Sequence, residues 1–203
     1  MKKTLWILFN KVRGNMSPSE VRNILLMVIY LNKYLKKFMD LIKEQYFGQS
    51  LDELEKCIMA YEKVKKSNEI DEKYLKIYLR CYEQLKEFKE TRNLDLIPFF
   101  NFVTSIQSAD LKSLATELIN IDDDFEKNSV DELNELVYMI LSDVESKDIV
   151  DMCSGVGSFL GFAGEKDSSL KLIGQEININ SLFISELYLA INDFDFDLYS
   201  GDL

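Results

Sequence analysis

The sequence predicts an all-α part followed by an α/β part: a helical bundle over residues 1–128, then, over 129–203, the first half of a doubly wound parallel sheet. Three observations predict it. Residues 1–128 carry apolar positions at helical spacing almost throughout. From residue 129 onward, short apolar runs alternate with helical segments, which is the pattern of strand–helix–strand units. A small-residue turn, Cys153-Ser154-Gly155-Val156-Gly157-Ser158, joins the first of these strands to its helix.

Each element has a local cause. Residues 4–13 form a short amphipathic stretch stopped by Gly14. Ser17-Pro18-Ser19-Glu20 is a strong helix start, with Ser17 as the cap, Pro18 in the first turn and Glu20 three residues past the cap. The helix it opens is expected to run to about residue 47, with Gly48 ending it. Its middle (Val21, Ile24, Leu25, Leu26, Met27, Val28, Ile29, Leu31) is apolar on nearly every face, so it belongs at the centre of the bundle. Ser50-Leu51-Asp52-Glu53 predicts a second capped helix to about 66, and 71–91 a third. Pro98 breaks the pattern, and shorter helices are expected over 99–107 and 111–120. Asp122-Asp123-Asp124 then marks a solvated turn rather than a metal site. After it come a helix over 130–144, strands over 148–152, 170–177 and 197–200, and helices over 158–164 and 180–191. Three strands without further cover are a poor end for such a sheet. The natural protein is therefore expected to continue past Leu203, unless this is a cut piece.

Composition narrows the chemistry. The apolar fraction of 47% against 29% charged is that of a folded protein, not a disordered one. With no histidine there is no Ser-His-Asp triad, no Cys-His pair and no imidazole metal ligand. Cys57, Cys81 and Cys153 lack zinc-type spacing and are expected as reduced thiols. The net charge of −11 (24 basic against 35 acidic residues) opposes unaided binding to DNA or an anionic membrane. Lys33, Lys36, Lys37 and Lys43 share one helix face, read first as solvated. The apolar start at 5–9 is too short for a secretory core, and the longest apolar run, 24–31, has 8 residues. A membrane span needs roughly 20. The sequence thus predicts a cytoplasmic protein with neither a membrane segment nor a metal.

The glycine turn is the candidate site. Gly155 and Gly157 let the backbone turn tightly and approach a ligand, and the helix that follows presents free N–H groups. Asp151 leads the turn. Glu176, 25 residues later, ends the second strand, where a carboxylate can accept from both hydroxyls of a ribose. Asp202, a further 26 residues on, ends the third and can accept from an adenine amino group. A dinucleotide site wants a third glycine where Leu160 stands, and Asp151 would repel a pyrophosphate. Beside a sulfonium its charge is useful. The preferred cofactor is therefore S-adenosyl-L-methionine.

These residues carry a resemblance. The stretch 151–160 resembles the first motif of adenine-N6 DNA methyltransferases, D-P-x-C-G-S-G-G-F-L: Asp151, Gly155, Gly157, Phe159 and Leu160 match, while Met152, Cys153, Ser154, Val156 and Ser158 depart. Gly174-Gln175-Glu176-Ile177-Asn178 is similar to the second motif and Gly201-Asp202-Leu203 to the third. Leu5-Trp6, Arg13-Gly14-Asn15-Met16 and Glu20-Val21-Arg22 resemble the N-terminal helical domain of the modification subunit of type I restriction–modification systems. The resemblance implies a Rossmann-like S-adenosylmethionine-dependent methyltransferase domain. Its cofactor would be lined by Asp151, Ser154, Gly155, Gly157, Phe159, Glu176, Ile177, Asp202 and Leu203. It also implies DNA as substrate and specificity and restriction subunits as partners.

Two departures matter. Asn128-Ser129-Val130 stands where the family has an aromatic-Thr-Pro turn. The family's (N/D)-P-P-(Y/F) loop is missing, since the only prolines are Pro18 and Pro98. No catalytic residue is assigned, and the chain alone is expected to be inactive. The alternatives are a non-catalytic helical scaffold with a degenerate methylase half, and an S-adenosylmethionine enzyme acting on a protein or small molecule.

Overall fold

The computed structural model describes residues 16–42, 52–67, 69–120, 130–142 and 145–201. Helix α1 (Pro18–Ile42) begins as its sequence dictates: the Glu20 N–H donates to Ser17 Oγ at 3.2 Å and the Ser17 N–H to Glu20 Oε2 at 2.8 Å. Residues expected to extend it, 43–47, lie outside the described ones, as do Gly14, Gly48, Lys43 and Asp122-Asp124. The apolar run 24–31 is fully buried, because α1 is wrapped by α2 (Glu53–Val64), α3 (Glu72–Arg92), α4 (Ile97–Thr104), α5 (Ser108–Ile119) and, from the α/β part, α8 (Ile179–Ile191). Burying each large apolar side chain is worth about 1.5–3 kcal/mol, so this helix supplies much of the core.

Two starts differ from expectation, those of α2 and α4. The cap of α2 is Asp52, not Ser50: Asp52 Oδ1 accepts the Leu54 N–H at 2.8 Å, and Glu55 Oε2 accepts the Asp52 N–H in return, completing a capping box two residues later than read. Asp71 caps α3 as its spacing requires, and Asn93, at φ 49°, ends it in the left-handed conformation that asparagine tolerates. Pro98 does not precede α4 but sits in its first turn, where its missing N–H costs nothing.

The second part runs α6 (Val130–Leu141), β1 (Asp148–Asp151), α7 (Ser158–Lys166), β2 (Lys171–Glu176), α8 and β3 (Asp195–Ser200). The strands form a parallel sheet in the order β1-β2-β3, with Asp151 opposite Gly174 and Glu176 opposite Ser200. Both connecting helices pack on the sheet and on each other. Leu172 and Phe196 point under them and are buried, whereas Val150 and Tyr199, on the opposite face, are more than half exposed. Helix α8 is buried almost all round (Leu182, Phe183, Ile184, Leu187, Leu189, Ile191), because it lies between the sheet and the bundle. One continuous apolar core therefore joins the two parts.

Candidate functional site

The turn after β1 is assembled from backbone bonds. Asp151 Oδ1 accepts the Cys153 N–H at 3.1 Å, closing a local side-chain turn. Ser154 is buried, and its N–H and hydroxyl both donate to Gln175 O, at 3.0 and 3.2 Å. The Gly157 N–H donates to Ser154 O at 2.8 Å. Gly155 adopts φ +54° and Gly157 φ +82°, values that an L side chain rarely takes. Their surroundings differ. A Cβ at 155 would meet nothing within 4 Å, whereas one at 157 would lie 2.3 Å from Ser185 Oγ on α8. Gly155 thus faces open space, and Gly157 is pressed between loop and helix. Ser185 Oγ is itself buried without a hydrogen-bond partner among the described residues.

Glu176 locks onto this turn. Its Oε2 accepts the Gly155 N–H at 2.9 Å and its Oε1 the Asn178 N–H at 2.7 Å. Asn178 in turn caps α8, its Oδ1 accepting the N–H groups of Asn180 and Ser181 at 2.9 and 3.1 Å. The carboxylate is held from two sides. Since it offers about four acceptor positions, it keeps capacity for a diol. Ile177, immediately beyond, is 65% exposed, and Phe159, in the first turn of α7, is half-buried. The carboxyl ends of β1 and β2 therefore present two carboxylates, an open glycine, an apolar side chain and a helix start on one edge. Asp202 and Leu203 lie outside the described residues; Gly201, just before them, donates its N–H to Glu176 O at 3.3 Å. Among the described residues no group of three or more His, Cys, Asp or Glu side chains is placed to hold a metal, and no helix is long and apolar enough to cross a membrane.

Some positions that shape the site were not singled out from sequence. A Cβ on Gly161 would lie 2.0 Å from Tyr188 Cε1, and one on Gly174 would lie 2.5 Å from Leu198 Cδ2 and 3.0 Å from Ser154 Oγ. Gly161 lets α7 lie against α8. Gly157, Gly161 and Gly164 recur at helical spacing, a signal present in the sequence. The lysine face needs correction. Lys33 is not solvated: its Nζ donates to Ala190 O at 3.0 Å, Ile191 O at 2.8 Å and Asp193 Oδ1 at 2.6 Å, clamping the end of α8.

The sequence matches no protein-family model and no curated protein. The tertiary structure does find a likeness. The crystal structure of the type I restriction–modification system methyltransferase subunit from Streptococcus thermophilus aligns with a TM-score of 0.52 at 12% identity. The chain shares the fold of the N-terminal part of that subunit. The alignment covers 98% of this chain and 58% of the Streptococcus one, so the chain spans little more than half the length of that subunit. The aligned part of this chain includes both the helices and the small parallel sheet. It agrees with the resemblance carried by the motifs near each end of the sequence, and at 12% identity the likeness is one of fold.

Proposed function

We propose that this chain is part of an S-adenosyl-L-methionine-dependent DNA methyltransferase acting on adenine N6, of the type I modification-subunit kind. In this reading residues 129–203 are the first half of a Rossmann-like cofactor domain. Residues 1–128 form a helical domain that faces DNA and the specificity and restriction subunits. The observation that carries the reading is the bond from the Gly155 N–H to Glu176 Oε2, 2.9 Å, which fixes an open glycine turn to the carboxylate at the next strand end. The likeness of fold supports it.

The residues present suit an adenosyl ligand. Asp151, Ser154, Gly155, Gly157 and Phe159 would surround the methionine end, Ser154 by holding the loop to β2 rather than by touching the ligand. The spare acceptor positions of Glu176 would take the ribose hydroxyls, and exposed Ile177 would cover one face of the base, beside Asp202 and Leu203. When bound, S-adenosyl-L-methionine supplies an electrophilic methyl group on a sulfonium, and Asp151 places a negative charge on that side. Methyl transfer itself is assigned to no residue here.

One observation favours the scaffold reading: both Glu176 oxygens already carry a backbone N–H. Calorimetric titration with S-adenosylhomocysteine decides between the two. Binding that weakens about tenfold or more in Glu176→Gln is expected, since a charge-assisted bond to a hydroxyl is lost. No saturable binding, or equal affinity in the variant, sinks the cofactor reading and leaves the scaffold.

A further inference from the structure

Between α1, α5 and the end of α8 lies a recess of about 250 Å³, at the opposite end of β3 from the glycine turn. Its charge is unusual for this chain. Lys33, Lys36 and Lys112 face one carboxylate, Asp193, which leaves a net charge of 3 − 1 = +2 in a protein whose total is −11. The donors are not equally free. An ammonium has three, and Lys33 spends all three on Ala190 O, Ile191 O and Asp193. Lys112 spends two, on Asn192 O at 3.1 Å and Asp193 Oδ2 at 3.0 Å, and keeps one. Lys36 spends none among the described residues.

The second observation is Asn32. It lines the recess, is only 6% exposed, and its Nδ2 has no hydrogen-bond partner among the described residues. A buried amide donor left unpaired costs about 1–3 kcal/mol, so such groups mark a place where a partner belongs. Asn32 and Lys36 are four residues apart on α1 and therefore adjacent on one face. Ile29, Leu111 and Ile191 supply the apolar remainder of the lining.

We propose that this recess binds a small phosphate monoester, with its phosphoryl oxygens on Lys36, Lys112 and the Asn32 amide and its organic part on Ile29, Leu111 and Ile191. A dianion matches the net charge of the lining. The volume, roughly eight waters at about 30 Å³ each, exceeds a bare phosphate and falls below the usual drug-sized site. The buried Ile29, Leu111 and Ile191 in the lining favour a small ester, whose organic part they would cover, over a nucleic-acid backbone, which offers them no apolar group.

The test uses the protein titrated with glycerol 3-phosphate and with inorganic phosphate at fixed ionic strength, followed by calorimetry and phosphorus NMR line width. Saturable one-site binding is expected, tighter for the ester. Lys36→Gln, on an exposed side chain that leaves the fold untouched, weakens it about tenfold. Asn32→Leu removes the orphaned amide, abolishes binding and leaves the melting temperature equal or higher. The proposal is overturned if neither probe saturates in the millimolar range, if both variants bind as the parent does, or if duplex DNA binds in a Lys36-dependent way while the ester does not.

Discussion

Replacing Gly157 by alanine tests how the loop and α8 are joined. Two costs add. At φ +82° an alanine is in the left-handed region, worth about 1–2 kcal/mol. Its Cβ would also lie 2.3 Å from Ser185 Oγ and 3.1 Å from Ser185 Cβ, an overpacking worth about 1–3 kcal/mol. The expected loss is therefore about 2–5 kcal/mol by urea unfolding followed by circular dichroism. Gly155→Ala is the control: at φ +54° with open space around its Cβ, it loses only the backbone part, about 1–2 kcal/mol. Ser185→Ala removes a buried hydroxyl with no partner among the described residues and is expected to be neutral or stabilising. In the double variant the nearest contact becomes the 3.1 Å one, so most of the packing cost disappears, with a coupling of about 0.5–3 kcal/mol. If Gly157→Ala unfolds no earlier than Gly155→Ala, or the two changes simply add, the contact does not control the turn.

Asp52→Ala removes the cap that accepts the Leu54 N–H and the contact with Lys89, and is expected to cost about 1 kcal/mol, nearly all from the cap, seen as a lower thermal midpoint. Burial pushes the Asp193 carboxyl up, but the hydrogen bonds from Lys33 and Lys112 outweigh it and hold it below the ordinary 3.8. Its stabilisation is thus present above that value and lost as pH falls through the lower, folded one. Urea midpoints of the parent and Asp193→Asn should differ at neutral pH and converge in acid; a gap that stays constant with pH refutes the assignment.

What the sequence alone determined is what short-range chemistry controls. Ser17 with Glu20, Asp71 and the glycine turn each act within a few residues, so the starts of α1 and α3 and the turn after β1 were legible. The run at 24–31, apolar on all faces, could only be central, and it is. The motif-borne likeness to a modification subunit also came from sequence, and the fold agrees. Other features were decided by contacts between distant residues. Gly161 matters only because Tyr188 lies across it. Lys33 looked like a solvated cation until the end of α8, about 160 residues away, brought three acceptors to it. A side chain's partner is set by the packing of whole helices, and that packing is a sum over the buried core that no local spacing encodes.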